Sequence, residues 1–297
     1  MTLASKFAAG AGAAFFGALA LTFAVSATSV RADDKAGAAA GDKAGAGAES
    51  AVVVEHPHPH RQSWSFAGPF GKFDRAQLQR GYQVYKEVCS ACHSMRLVAF
   101  RDLEENSGPA FSESQIKALA ATFKVKDGPN EAGEMFERPG RPSDYFPSPF
   151  PNPQAARAAL GAIPPDMSVL AKARDLHSGF PGFVIDAFTQ YQEGGPDYIY
   201  ALLNGYTKPD DPNFNAIFPG QHIAMPPPLS DGLVDYTDGA PKTTPQYAKD
   251  VTAFLMWAAE PKLEARKSLG FAVIIYLLVF AGLLYTIKKR LWAKVPH

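Results

Sequence analysis

Only two of the 297 residues are cysteine, which excludes a disulfide-dense scaffold and a four-cysteine zinc site. A surplus of either charge is also missing: 29 Lys and Arg stand against 29 Asp and Glu. A neutral total argues against a nucleic-acid binder, which needs basic residues in excess to neutralise phosphates. No alternating strand series is evident, so a large sheet is not expected. Glycine and proline, by contrast, are plentiful at 25 each, which points to many loops. The length allows one large domain or two small ones.

Charge is absent from two long stretches. After Lys6 an apolar run extends from about Phe7 to Val25, and Val30-Arg31-Ala32 ahead of Asp33 offers a small-residue cleavage site. A basic start, an apolar middle and a small-residue exit describe a secretory signal peptide, here 1–32. The second run, Leu269 to Ile287, holds no charge in 19 residues. At 1.5 Å per residue it covers about 28 Å, close to the hydrocarbon thickness of a bilayer. Arg266 and Lys267 precede it, and Lys288, Lys289, Arg290 and Lys294 follow. A single membrane anchor over 263–290 is therefore expected, with a cytoplasmic tail at 291–297. Flanking basic residues are nearly balanced and orient it weakly. The signal peptide decides, placing the bulk of the chain outside the cytoplasm.

Between these ends the balance changes. Residues 33–268 hold 23 Lys and Arg and all 29 Asp and Glu, a net of −6. Eight acids (Asp186, Glu193, Asp197, Asp210, Asp211, Asp231, Asp235, Asp238) crowd 186–238, with Lys208 the one basic residue there. Such a field steers basic partners. Residues 33–63 form an Ala/Gly-rich linker and a polar segment. Its His56, His58 and His60 alternate with prolines and suit an extended chain better than a metal site.

The folded domain is expected over 64–262. Asp74 can cap a helix with Leu78, Tyr82 and Tyr85 on one face, leading into Cys89. Ser112 and Gln115 form a capping box for another, with Ile116, Leu119, Ala120 and Phe123 inward. Thr244 and Pro245 open a third, ended by Pro261. Long proline-rich loops separate them. Helices joined in this way pack poorly by side chains alone, so something large is expected in the middle.

Both cysteines lie in Cys89-Ser90-Ala91-Cys92-His93, the C-x-x-C-H signature of covalent haem attachment. Two thiols three residues apart reach the two vinyl groups of one porphyrin, and the next residue offers an imidazole to the iron. A redox dithiol would not need His93, and a zinc site lacks its second pair. For the sixth iron position the residues offer Met95, Met135, Met167, Met225, Met256, His177 and His222. Met95 is too close to His93, and Met256 falls on the core face of a helix. Met225, in a loop stiffened by Pro226, Pro227 and Pro228, is favoured, with Met135 a competitor. A Met opposite a His raises the potential.

The sequence resembles the cytochrome c1 family, the haem subunits of ubiquinol–cytochrome c reductase, in their bacterial form. The resemblance rests on GYQVYKEVCSACHSM (81–95), DGPNEAGEMFERPGRPSDYFPSPFPNPQAARAA (127–159), PPDMS (164–168), FPGQHIAMPPPL (218–229) and AKDVTAFLMWAAEP (248–261). It implies a mainly α c-type cytochrome domain with long irregular loops and one C-terminal transmembrane helix. It also implies one covalent haem c, with Cys89 and Cys92 as thioether anchors and His93 and Met225 as axial ligands. Ala162, Pro164 and Pro165 would line the pocket, with Arg174 and Tyr198 near a propionate. The chain would be an electron carrier and not itself an enzyme. Implied partners are cytochrome b, a Rieske iron–sulfur protein, a soluble or membrane-bound cytochrome c acceptor and membrane lipid, in a dimeric complex. Its place would be a bacterial inner membrane, haem domain on the periplasmic side. Rival readings are an oxidase-associated haem c carrier and a haem sensor with an open sixth site. Two departures stand out: Ala158-Ala159-Leu160-Gly161 is one residue shorter than the family pattern and lacks its Asn, and Asp175 to Glu193 is longer than in mitochondrial members.

Overall fold

Asp74 caps the first helix as expected: its carboxylate accepts the Gln77 N–H, and α1 runs Arg75–Glu87. In the computed structural model the described residues are 59–175, 179–189 and 191–295. They all belong to the second of the two units into which the chain divides, 52–297. The proposed signal peptide lies outside them, as do His56, His58 and His177.

Among the described residues the chain is mainly helical. Ser112 and Gln115 close the capping box that starts α2, Glu113–Ala121. Asn152 caps α3, Pro153–Leu160, and Gly161 ends it in the left-handed region (φ 75°). The short α4 (Leu170–Ala173), α5 (Gly182–Thr189) and α6 (Gly194–Leu203) follow. Then come α7 (Thr244–Ala259) and α8 (Leu263–Trp292). The sequence pattern gave no sign of one small hairpin. β1 (Lys124–Asp127) and β2 (Phe136–Pro139) pair antiparallel, Lys124 opposite Pro139 and Asp127 opposite Phe136. Its side chains are mostly exposed and its strands only four residues long, too short for a two-residue period to register. Arg138 pins the hairpin, pairing with Asp127 and bidentately with Asp144 at 2.6 and 3.0 Å.

The core is the crossing of α1 and α7. Leu78, Tyr82, Val84 and Tyr85 from α1 meet Tyr247, Val251, Phe254, Leu255 and Trp257 from α7, all at most 6% exposed. The backbones touch at Gly81, where a Cβ would stand 2.1 Å from the Asp250 carbonyl oxygen and 2.7 Å from Phe254 Cβ. Beside this contact the Asp250 carboxylate is fully buried. It accepts from Arg80 Nε (2.9 Å) and Nη2 (3.3 Å), Gln77 Nε2 (3.2 Å) and Gln246 Nε2 (2.9 Å). A buried charge needs that degree of pairing. Phe100 and Phe146 extend the core sideways with ring centroids 4.4 Å apart. α6 packs on both α4 and α7, and a Cβ on Gly195 would meet the Ala171 carbonyl at 1.7 Å.

α8 is long and apolar enough to cross a membrane, and its apolar window is entirely unburied. Its first turns are bound to the domain. Glu264 accepts the Phe73 N–H at 2.9 Å and Lys267 Nζ donates to the Phe66 carbonyl at 2.6 Å. Arg266 pairs with Glu260, which also takes Lys172 at 2.6 Å.

Gly81→Ala puts a methyl group into the α7 backbone, and overpacking of this kind costs about 1–3 kcal/mol. We expect a lower thermal midpoint for the purified full chain, with Arg75→Ala on the exposed face of α1 leaving it unchanged. An unaltered midpoint for Gly81→Ala would mean the crossing is looser than its geometry.

Candidate functional site

α1 delivers the two thiols. Just past its end the backbone tightens into one 3-10 turn, Cys89–Ala91. There the Cys92 and His93 N–H groups both donate to the Cys89 carbonyl, at 3.1 and 2.8 Å. Ser90 Oγ ties the turn back to the Lys86 carbonyl at 2.7 Å. Cys89 and Cys92 are free and half-buried, on the same turn as the buried His93. Burial pushes the Cys89 thiol up to about 12, with Cys92 adding to the rise. Redox-active and metal-binding cysteines need the reverse, an accessible thiolate. A neutral sulfur, as in a thioether, suits this position.

His93 is oriented by a second segment. Its Nδ1 lies 2.9 Å from the Pro165 carbonyl oxygen. A carbonyl only accepts, so Nδ1 carries the proton and Nε2 is the nitrogen left for a metal. Burial holds the His93 pKa below the ordinary imidazole value, favouring the neutral ring that ligation requires.

Asp166 locks the two segments together. Its Oδ2 accepts from Ser94 Oγ (2.7 Å), the Arg96 N–H (3.0 Å) and Arg96 Nε (3.2 Å), while Oδ1 accepts the Ser168 N–H (2.9 Å). Ser168 Oγ in turn accepts the Leu97 N–H at 3.0 Å, and the Met167 N–H donates to the Ser94 carbonyl at 2.8 Å. Burial works against ionisation of Asp166, but the donors from Ser168, Arg96 and Ser94 outweigh it and bring the carboxyl down to about 2. Ser94, Asp166 and Ser168 were not singled out from sequence, although the PPDMS run contains two of them.

Met225 sits half-buried on a loop fixed to the end of α6. Tyr206 Oη donates to its carbonyl at 3.0 Å. The fully buried Asn215 donates to the Leu202 carbonyl at 2.8 Å and accepts the Ile217 and Phe218 N–H groups at 3.0 and 3.2 Å. Asn213 and Ile223 close the loop, with Ile223 N–H to Asn213 O at 2.9 Å and Asn213 Nδ2 to Ile223 O at 2.8 Å. Sequence reading missed Tyr206 and Asn215. The other candidate methionines are placed differently: Met95, Met167 and Met256 are core residues, at most 8% exposed, and Met135 is 64% exposed beside the hairpin turn. His222 is exposed, with Asp211 at 3.8 Å.

Arg174 ends α4, and Tyr198 lies buried on α6. The two are close enough for the guanidinium to oppose the rise that burial imposes on the Tyr198 hydroxyl. Ala162 and Pro164 are half-buried in the segment leading to Pro165, while their neighbours Leu160 and Ile163 are 40% and 46% exposed. This apolar surface beside two neutral thiols and an oriented imidazole fits a covalently held porphyrin.

The profile of the Cytochrome C1 family matches residues 64–295. The chain belongs to the cytochrome c1 family. It is 59% identical over 244 residues to the cytochrome b/c1 of Bradyrhizobium diazoefficiens, covering 79% of this chain and 36% of that longer protein. It is 49% identical to the cytochrome c1 of Blastochloris viridis, over 80% of this chain and 87% of that one. For the cytochrome c1 of Rhodospirillum rubrum the figures are 46%, 80% and 89%. The chain thus spans about a third of the first relative and most of the other two. Cytochrome c1 proteins carry one covalently bound haem c and serve as electron carriers, not as enzymes in their own right. The mainly α fold and the apolar C-terminal helix of this chain fit that family.

Asp166 sets a pH test. A carboxyl depressed from about 3.9 in the unfolded chain to about 2 when folded adds stability that is fully present above the unfolded value. That stability is lost as pH falls through the folded one. Asp166→Asn is expected to melt below the wild type at pH 7, with the gap narrowing between about pH 4 and pH 2. A gap independent of pH would leave Asp166 a packing role alone.

Proposed function

We propose that this cytochrome c1 family chain takes single electrons from a Rieske iron–sulfur protein and passes them to a soluble or membrane-bound cytochrome c. In this reading it works inside a dimeric ubiquinol–cytochrome c reductase, where cytochrome b handles the quinol. The observation that carries the proposal is the His93 ring, held through Nδ1 by the Pro165 carbonyl at 2.9 Å beside two thiols on one turn. Bound there, haem c supplies a one-electron change of iron valence. The chain's own residues do the rest. Cys89 and Cys92 would fix the group covalently, and His93 Nε2 and Met225 Sδ would hold its iron. Ala162, Pro164 and Pro165 would wall the pocket, and Arg174 with Tyr198 would hold a propionate, a guanidinium suiting a carboxylate. No proton needs to move.

The layout follows the same reading: signal peptide 1–32, linker 33–63, haem domain 64–262, anchor 263–290 and tail 291–297. α8, Leu263–Trp292, supports the anchor limits within two residues. Export by the signal peptide and the basic Lys288, Lys289 and Arg290 beyond the span support a periplasmic haem domain on a bacterial inner membrane.

The acidic stretch is narrower as a docking surface than its sequence suggests. Glu193 and Asp197 are each 2% exposed, and Asp197 accepts from Gln62 N–H and Trp64 Nε1, both at 2.9 Å, and from Tyr191. Asp186 pairs with Arg61, Asp235 with Lys242 and Asp238 with Arg80, while Asp231 takes the Thr244 N–H and hydroxyl. Asp210 and Asp211 are left at the surface a few residues before the Met225 loop, Asp211 with the exposed His222 at 3.8 Å and the Asn213 N–H at 3.1 Å beside it. These two are the acids proposed to attract a basic cytochrome.

Met225→Leu is expected to leave the haem attached, as read by the pyridine haemochrome, and to lower the midpoint potential. The drop should be roughly 0.1 V or more, within the about 0.8 V that axial ligands command. An unchanged potential would overturn Met225 as ligand, and rapid carbon monoxide binding by the native reduced protein would favour an open sixth site. Asp210→Lys with Asp211→Lys is expected to flatten the ionic-strength dependence of electron transfer to a basic cytochrome c. An unaltered slope would remove both from the docking surface.

A further inference from the structure

The point where α8 leaves the domain carries a feature that electron transfer does not use. A cleft of about 240 Å³ opens between the loop 69–72 and the side chains of Glu264, Lys267, Ser268 and Phe271 on α8. These four helix positions are spaced i, i+3, i+4 and i+7, so they form one stripe down a single face. The stripe is polar at its first three positions and aromatic at the fourth. The uncharged run begins at Leu269, so the cleft straddles the boundary between water and hydrocarbon, the height of lipid headgroups.

The opposite wall is built to stay in place. The Lys72 N–H donates to the Ser65 carbonyl at 3.0 Å, and the bonds from Glu264 and Lys267 to the backbone of Phe73 and Phe66 fasten the loop to the helix. A Cβ on Gly71 would stand 2.1 Å from the Ala67 carbonyl oxygen, so the turn closes that tightly only on glycine. Glu264 and Lys267 are thereby occupied in holding the cleft. Lys72 is exposed and makes no ion pair among the described residues, leaving a positive charge at the polar end. At the apolar end Phe70 (72% exposed) and Phe271 (50% exposed) meet edge to face, 5.5 Å between centroids, outside the core.

We propose that this cleft binds one membrane phospholipid, its phosphodiester against Lys72 and Ser268 and the start of an acyl chain against Phe70 and Phe271. A phospholipid is the occupant these features suit. It pairs an anionic phosphodiester with hydrocarbon chains at that height, and the cleft is continuous with the helix that enters the bilayer. The proposal rests on the reading of α8 as the membrane anchor.

The test uses the haem-loaded full chain, delipidated in detergent and followed by native mass spectrometry. Phosphatidylglycerol, phosphatidylethanolamine or diacylglycerol is titrated in. The wild type is expected to retain one phospholipid of either headgroup and to discriminate against diacylglycerol. The double variant Phe70→Ala, Lys72→Glu is expected to hold that phospholipid about tenfold more weakly, with its haem spectrum intact. Lys117→Glu on α2 should behave as wild type. Equal occupancy in wild type and double variant, or equal retention of diacylglycerol, overturns the site. Flotation with liposomes separates the two readings. A wild type that fails to float overturns the anchor and the site with it, whereas a floating wild type with unchanged occupancy in the variant overturns the site alone.

Discussion

The backbone contact between Gly81 of α1 and Asp250 of α7 governs where everything at the haem-binding end sits. Cys89 follows Gly81 by eight residues, all but the last of them within or just past α1, so the two thiols inherit the helix's position almost rigidly. Side-chain packing alone would allow α1 to rotate or slide by trading one apolar contact for another. Two backbones in contact, with a buried Asp250 carboxylate satisfied by Arg80 and Gln77 from one helix and Gln246 from the other, permit far less. Any slip would leave a buried charge short of donors, a cost of several kcal/mol.

The remaining parts of the site arrive on irregular backbone, which has no ladder to fix it. Here single polar side chains take over. Asp166 gathers the two ends of the His93 and Pro165 segments through four hydrogen bonds, and Asn215 does the same for the Met225 loop with three. Each satisfies backbone N–H or C=O groups that would otherwise be unpaired beside a low-dielectric pocket. An apolar residue at either position would leave those groups without partners, so the loops are specified by polar chemistry and not by hydrophobic pattern.

That division explains which features the sequence disclosed. Helix starts were legible because caps act locally: Asp74 and Ser112 each bond to a backbone N–H three residues ahead. The C-x-x-C-H turn, the anchor run and the core face of α7 were legible for the same reason, as short-range spacing or periodicity. The roles of Asp166, Tyr206 and Asn215 were not, because their partners lie 13 to 72 residues away in part or whole. The β1–β2 hairpin escaped because its strands are short, exposed and held by the Arg138 ion pairs. The acidic stretch misled in the opposite direction: a count of charges cannot distinguish Asp197, buried under Trp64 and Tyr191, from Asp210 on the surface.

The neutral total charge acquires a structural meaning from these placements. Many acids of the haem domain are spent internally, as the Asp250, Asp197, Asp166 and Asp144 bonds show, and so add little to the outward field. Around the start of α8, Glu105, Glu260 and Glu264 meet Lys262, Lys172, Arg266 and backbone N–H groups, forming a collar of alternating sign. Isolated surface pairs contribute little, but a collar that shares Glu260 between two cations and ties two loops to one helix constrains the angle at which the span leaves the domain. The uncharged run begins immediately below it. The polar collar therefore fixes the height of the domain above the hydrocarbon by the cost of burying its charges, and the apolar run fixes it from the other side by the cost of exposing its side chains. With the height set from both sides, the distance from the Cys89–His93 turn to the bilayer is a property of the fold.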